Sequence, residues 1–259
     1  MTAIPKIIHY CWFGGKPLPK SAIKCINSWK KFFPDYEIRE WNESNFDVNM
    51  IPYTQEAYVA KKYAFVSDYA RFWVLHEYGG IYFDTDVEVI RPMTDILQKG
   101  AYFGMENYSS INPGLGMSAP LEHAFTNWYI NYFRGKHFIP EQPSMIPVIS
   151  KKFSEIGCTY SDSMQELFFD GWPITIYPPR YFNPKSFTTG KISIVDDTRT
   201  IHHYDMSWFD TNRYIYQKLI QFYSRFINVK RARRFAGVTQ YIIYFTLFKP
   251  FQFIKELFK

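Results

Sequence analysis

Gly79-Gly80-Ile81-Tyr82-Phe83-Asp84-Thr85-Asp86 says more about this chain than any other stretch of it. Two glycines end a helical run, three apolar residues read as a strand crossing a core, and two carboxylates emerge where it stops. Side chains at i and i+2 of an extended segment point the same way. Asp84 and Asp86 are therefore expected to face one point, at a separation that a divalent cation bridges. Hard cations such as Mg²⁺ and Mn²⁺ take oxygen ligands and usually keep positions open for phosphate oxygens. An isolated D-x-D is weak evidence, because the twelve Asp of this chain give roughly 0.5 such pairs by chance. The context has to carry the reading.

Upstream, residues 4–13 read as a buried opening strand ended by Gly14-Gly15. Residues 21–33 have helical spacing (Ile23, Ile26, Trp29, Phe33), and Pro34-Asp35 turns the chain into a second strand at 36–41. The order strand, helix, strand points to an α/β unit with parallel strands. Residues 54–62 and 64–78 read as helices, the latter stopped by Gly79 as a cap. Downstream, strands are expected at 87–90, 101–105, 115–118, 174–177, 192–195 and 200–204, and helices at 121–133 and 144–156. No internal repeat or low-complexity linker appears, and composition shifts once, after about Asp210.

At 259 residues, 20% of them aromatic and 21% charged, the chain reads as a soluble globular protein with a full core. Cys11, Cys25 and Cys158 are odd in number and lack metal-ligand spacing, so buried free thiols in a reducing compartment are expected. The first residues carry no signal-peptide apolar region, and no apolar run reaches about 18 residues, which predicts a cytoplasmic protein without a membrane span. The net charge of +6 is uneven: residues 213–259 hold ten Lys/Arg against Glu256 alone, a balance of +9, leaving −3 for the rest. That asymmetry argues against a nucleic-acid binder.

Four further features bear on chemistry. Asp68 and Arg71, at i and i+3, share one face of the helix before the Asp pair. His202-His203 ends a late strand, and neutral imidazole suits Mn²⁺ beside two carboxylates; alternation lets only one of the two face the site. Trp12 sits at the exit of the first strand, where ligands of open α/β sheets collect. The Asn112-Pro113-Gly114 turn offers an amide for a sugar or phosphate, although turn chemistry alone accounts for it.

Together these segments resemble glycosyltransferase family 32, the family of yeast mannosyltransferases and bacterial capsular polysaccharide transferases with a DXD-containing sugar-binding region. The resemblance is carried by Ile7-Ile8-His9-Tyr10-Cys11-Trp12-Phe13-Gly14-Gly15, by Phe65-Val66-Ser67-Asp68-Tyr69-Ala70-Arg71, and by the Gly79–Asp86 stretch, whose spacing the glucosylating clostridial toxins share. It covers about residues 4–120 and returns at His202–Trp208. It implies a GT-A fold, a Rossmann-like mixed sheet flanked by helices. The nucleotide-sugar half would span about 1–105 and the acceptor half about 106–210, with 211–259 as a basic helical tail. The implied activity is retaining transfer from a nucleotide-sugar, a UDP-sugar ahead of a GDP-sugar, to a glycan or lipid-linked saccharide. In residue terms the resemblance puts Cys11, Trp12 and Tyr82 at the nucleotide and Asp68 with Arg71 at the donor sugar. It assigns Asp86 and His203 to Mn²⁺ or Mg²⁺, Asp84 to the ribose or, through water, to the metal, Ser207 and Trp208 to the diphosphate, and Asn112 to the substrate.

Residues 213–235 add an apolar stripe (Ile215, Leu219, Phe222, Phe226, Val229) beside Lys230-Arg231 and Arg233-Arg234. A basic amphipathic helix of this kind suits the anionic cytoplasmic face of an inner membrane; packing on the catalytic body is the alternative. Two rival readings have sequence support. Residues 81–87 fit the opening motif of a haloacid-dehalogenase-type phosphatase with Asp84 as nucleophile and Asp196-Asp197 as the late acidic motif, yet about 80 residues of α/β pattern precede Asp84. A non-enzymatic carbohydrate-binding module leaves the joint occurrence of Trp12, Asp68, Arg71 and the Asp pair without a cause.

Overall fold

A computed structural model describes residues 3–140, 144–205 and 211–248. By internal contacts the described residues fall into one unit within Met1–Pro184 and Ser193–His203, and a second within Lys185–Ile192 and Tyr204–Lys259.

The first unit opens as expected. Strand β1 (Ile7–Cys11), helix α1 (Lys20–Phe32) and strand β2 (Glu37–Trp41) make an α/β unit, and β1 pairs with β2 in parallel. Helices α2 (Pro52–Val59) and α3 (Tyr63–Tyr78) follow, and Gly79, at φ 60°, ends α3. Strand β3 (Gly80–Tyr82) runs beside β1, in parallel. Gly80 has φ 108°, and a Cβ there would lie 2.6 Å from the Ile7 carbonyl oxygen, so this close strand crossing requires glycine. Beyond β3 come β4 (Val87–Val89), α4 (Thr94–Leu97), β5 (Ala101–Asn107), β6 (Ser110–Ile111) and β7 (Met117–Ala119). The remainder supplies α5 (Ala124–Phe133), α6 (Ile146–Glu155), β8 (Gln165–Phe169), β9 (Trp172–Tyr177), α7 (Pro179–Phe182) and β10 (Thr200–His202).

The main sheet has the order β2-β1-β3-β7-β5-β9-β8, with β6 on β5, while β10 and β4 form a separate antiparallel pair. Parallel pairs (β1/β2, β1/β3, β5/β9) and antiparallel ones (β3/β7, β5/β7, β8/β9) are mixed across it. This is the mixed α/β sheet flanked by helices that the sequence leads one to expect. Two buried aromatic-rich clusters form its core, one including Phe72, Phe103, Phe125 and Tyr129, the other Trp29, Phe83, Tyr102 and Phe182.

Some expected elements differ. Residues 192–195 form no strand, and Ile192, Ile194 and Val195 are exposed. Ile192 makes only an isolated bridge to Lys185, and the Arg91 guanidinium takes the carbonyls of Val195 (2.5 Å) and Thr198 (2.9 Å). Helix α5 starts at Ala124 instead of 121 because the His123 ring accepts from the Phe125 N–H at 3.1 Å and caps it there. Edge strand β8, half polar, escaped the apolar pattern altogether.

The second unit contains α8 (Thr211–Tyr223) and α9 (Val229–Phe248), joined by a short loop. On these two helices Gln217, Ile220, Ala232 and Ala236 are buried. No helix among the described residues is long and apolar enough to cross a membrane.

Candidate metal and donor-sugar site

β3 ends at Tyr82, and the Asp pair does not continue it as an extended segment. The Val87 N–H donates to the Asp84 carbonyl at 3.0 Å, closing a turn over 84–87. The carboxylates converge nonetheless. Ligand atoms of Asp84, Asp86 and His202 all lie within 4.8 Å of one another. His202 Nε2 is 3.2 Å from Asp86 Oδ1.

The histidine is thus His202, not the expected His203. β10 pairs antiparallel with β4 in the register His202↔Val87 and Ile201↔Glu88. Side-chain alternation then puts His203 on the face of Glu88, whose Oε2 it meets at 2.7 Å through Nε2. Its backbone N–H still serves the site, donating to the Asp86 carbonyl at 2.9 Å.

Helix α3 delivers the cationic element. Asp68 and Arg71, one turn apart, are both buried. Arg71 Nη2 lies 3.0 Å from Asp68 Oδ1 and 3.2 Å from Asp84 Oδ1, and its Nε–H donates to the Ser67 carbonyl. Tyr82, on the Asp84 side of the strand, donates its hydroxyl to Asp84 Oδ1 at 2.9 Å. Its ring centroid is 4.9 Å from the Arg71 guanidinium. Four residues from a helix, a strand and the turn after it therefore form one connected network, and a low-dielectric surrounding strengthens each link.

Burial sets the protonation tendencies. It pushes Asp84 above its ordinary value despite Arg71, and Asp68 up to about 6. For His202 burial works against the charge, but the charge and hydrogen bond of Asp86, with Asp84 and Glu106 behind them, hold the imidazole above its ordinary value. Burial pushes the Cys11 thiol up to about 12, so this expected substrate contact is a neutral, packed side chain.

A loop closes the far side of Asp84. Asn112 Oδ1 accepts from the Gly114 N–H at 2.8 Å, and the Gly114 carbonyl accepts from the Asp84 N–H at 3.3 Å. A Cβ on Gly114 would collide with Asp84 Oδ2, so only glycine leaves the carboxylate room. Asn112 Nδ2 donates to Glu106 Oε1 at 3.3 Å. Glu106 was invisible as a site residue in the sequence, being a lone acid at a strand end; Gly114 was read only as part of the Asn112 turn. Trp12 is half-buried, with its indole N–H on the Lys16 carbonyl at 2.6 Å. Ser207 and Trp208 lie outside the described residues. The rival late acidic motif is engaged elsewhere, Asp197 by Arg180 at 2.8 Å and the Asp196 carbonyl by Arg199.

Two carboxylates and an imidazole converging on one point, with a glycine keeping the space at Asp84 open, fit a divalent cation. Residues 19–103 match the family model described as "Glycosyltransferase sugar-binding region containing DXD motif".

The DXD sugar-binding region so matched contains Asp68, Arg71, Asp84 and Asp86. Among curated relatives, "Inositol phosphoceramide mannosyltransferase 3" of Schizosaccharomyces pombe is 31% identical over 115 residues, covering 43% of this chain and 32% of that protein. "Uncharacterized glycosyltransferase L373" of Acanthamoeba polyphaga mimivirus is 28% identical over 206 residues, covering 74% of this chain and 71% of the relative. The chain thus spans about a third of the first of these and most of the second. A solved structure titled "PaToxG Glycosyltransferase" superposes with a TM-score of 0.44 at 20% identity, over 60% of this chain and 70% of that one.

Proposed function

We propose that this protein is a metal-dependent, retaining glycosyltransferase on the GT-A plan. It would move a sugar from a nucleotide diphosphate sugar to a glycan or lipid-linked saccharide, in the synthesis of a bacterial surface polysaccharide such as capsule. The observation that carries this reading is the convergence of Asp84, Asp86 and His202 beside the buried Asp68–Arg71–Asp84 network. Asp84, Asp86 and His202 would hold the cation, Mn²⁺ or Mg²⁺. When bound, it supplies positive charge where the leaving diphosphate becomes more anionic.

The chain's own residues account for the rest. Arg71, fixed by two carboxylates and a backbone carbonyl, is a preorganised cation that needs no reorganisation as charge develops. Tyr82 holds Asp84 in one orientation. Asp68, with one oxygen on Arg71, orients the donor sugar and faces the positive charge growing at its anomeric carbon. Asn112 fixes the turn against Asp84, and Trp12 offers a ring to the base. Same-face attack by the acceptor hydroxyl, with the departing phosphate taking its proton, gives retention without a covalent glycosyl-enzyme. A lipid-linked acceptor would bring the protein to the cytoplasmic face of a membrane.

The test is a panel of uridine and guanosine diphosphate sugars with Mn²⁺, followed by release of nucleoside diphosphate. Slow hydrolysis of at least one donor is expected, and Asp86→Ala should abolish it at every Mn²⁺ concentration. Near-normal turnover by Asp86→Ala defeats the metal assignment.

A further inference from the structure

The apolar stripe that begins on helix α8 is only partly covered: Ile215 and Leu219 are half-buried, while Phe222 and Phe226 are exposed. Ile215, Leu219, Phe222 and Phe226 recur at helical spacing, and hydrophobic burial predicts that such a stripe packs inward. The buried positions are instead Gln217 and Ile220, and the Gln217 amide donates to the Phe187 carbonyl at 2.8 Å. Phe222 and Phe226 are 52% and 73% exposed. Helix α9 repeats the arrangement with small residues inside. Ala232 and Ala236 are buried, while Phe235 and Tyr241 are exposed on a helix whose Arg231 and Arg234 are exposed as well. Residues 211–248 contain seven Lys/Arg and no Asp or Glu.

We propose that the outward faces of α8 and α9, with the turn between them, dock on an anionic lipid surface, Phe222 of α8 and Phe226 of the turn entering the headgroup layer while Arg225, Arg231 and Arg234 face lipid phosphates. Cations alone fit any polyanion. Large apolar side chains exposed among them select a surface with an apolar layer beneath its charge. A second copy of this face is opposed by repulsion between two acid-free basic surfaces. Residues 249–259 carry three Lys against Glu256, so they add to the charge instead of neutralising it. The proposal rests on the glycosyltransferase reading only in its motive, a lipid-linked acceptor; the binding itself is independent of catalysis.

Sedimentation of the full chain with vesicles tests it. Binding is expected to vesicles of mixed phosphatidylcholine and phosphatidylglycerol, not to phosphatidylcholine alone, and to weaken as salt rises. Phe222→Ser with Phe226→Ser, and separately Arg231→Gln with Arg234→Gln, should each lower the partition coefficient by about tenfold or more. Both pairs are exposed, and circular dichroism verifies that the fold is kept. Asp86→Ala should bind vesicles as the parent does, so a failed activity assay leaves this result standing. Equal binding to neutral vesicles overturns the proposal. Full binding by both double variants also overturns it, as does a dimer that only the parent forms.

Discussion

Asp68 illustrates a side chain held in place at the expense of stability. Its carboxyl titrates at about 6 because burial disfavours its charge more than Arg71 favours it. The sign follows from linkage. A raised acid makes its full contribution below the ordinary value of 3.8, and that contribution is lost as pH rises through about 6. At pH 7.5 the ionised carboxylate therefore costs stability, of order 1–3 kcal/mol. Removing one partner of a buried pair normally strands the other, but Arg71 keeps Asp84 at 3.2 Å. Asp68→Asn should raise the melting temperature at pH 7.5 by about 2–6 °C and lose that gain by about pH 4. It should also lose donor hydrolysis, the exchange of stability for activity expected of a strained site. Thermal melts at the two pH values check the first part, and an unchanged or lower melting temperature at pH 7.5 refutes it.

At the scale of elements, one buried histidine ties three of them together. His9 on β1 meets the Gly79 carbonyl, at the end of α3, through Nε2 at 2.8 Å, and its Nδ1 accepts from the Trp41 indole of β2 at 2.9 Å. Both nitrogens are used by the neutral tautomer, and burial lowers the ring to about 4. The stability this confers is complete above about 6.5 and is lost as pH falls towards 4, about 3 kcal/mol in all. His123, which caps α5 and is likewise lowered to about 4, adds a second step in the same window. Denaturant unfolding should show stability dropping steeply from pH 6.5 to 4. His9→Gln should flatten that limb by about 1.4 kcal/mol per pH unit. A limb of unchanged slope means that His9 is not the titrating group. The sequence showed His9 only as one letter of the opening motif, since a strand histidine gives no sign of which carbonyl it will meet.

For the whole molecule, the site couples ligand to fold. Its ligands come from the 84–87 turn and from β10, about 120 residues later in the chain, so whatever binds them bridges segments that unfolding separates. Mn²⁺ with a nucleoside diphosphate at about 100 times its dissociation constant should stabilise the fold by about 2.7 kcal/mol, raising the melting temperature by about 5–10 °C. A chelator should remove the shift, and Asp86→Ala should not show it. Equal melting temperatures with and without Mn²⁺ and nucleotide contradict a cation-bridged diphosphate site.

Local pattern alone determined that this is an α/β protein, that β1 and β2 run parallel, and that Asp68 and Arg71 share one face of α3. These follow from residues close in sequence, where helix and strand periods dictate which side chains share a face. Only the tertiary structure decided that His202 and not His203 joins the aspartates, because the register of β10 on β4 is a long-range pairing with no local signal. The same holds for Gly114, which packs against Asp84, for Glu106, which meets Asn112, and for α8, whose apolar stripe the period of 3.6 reveals without saying which way it faces. Periodicity identifies a face; its partner is fixed by contacts between segments far apart in the chain.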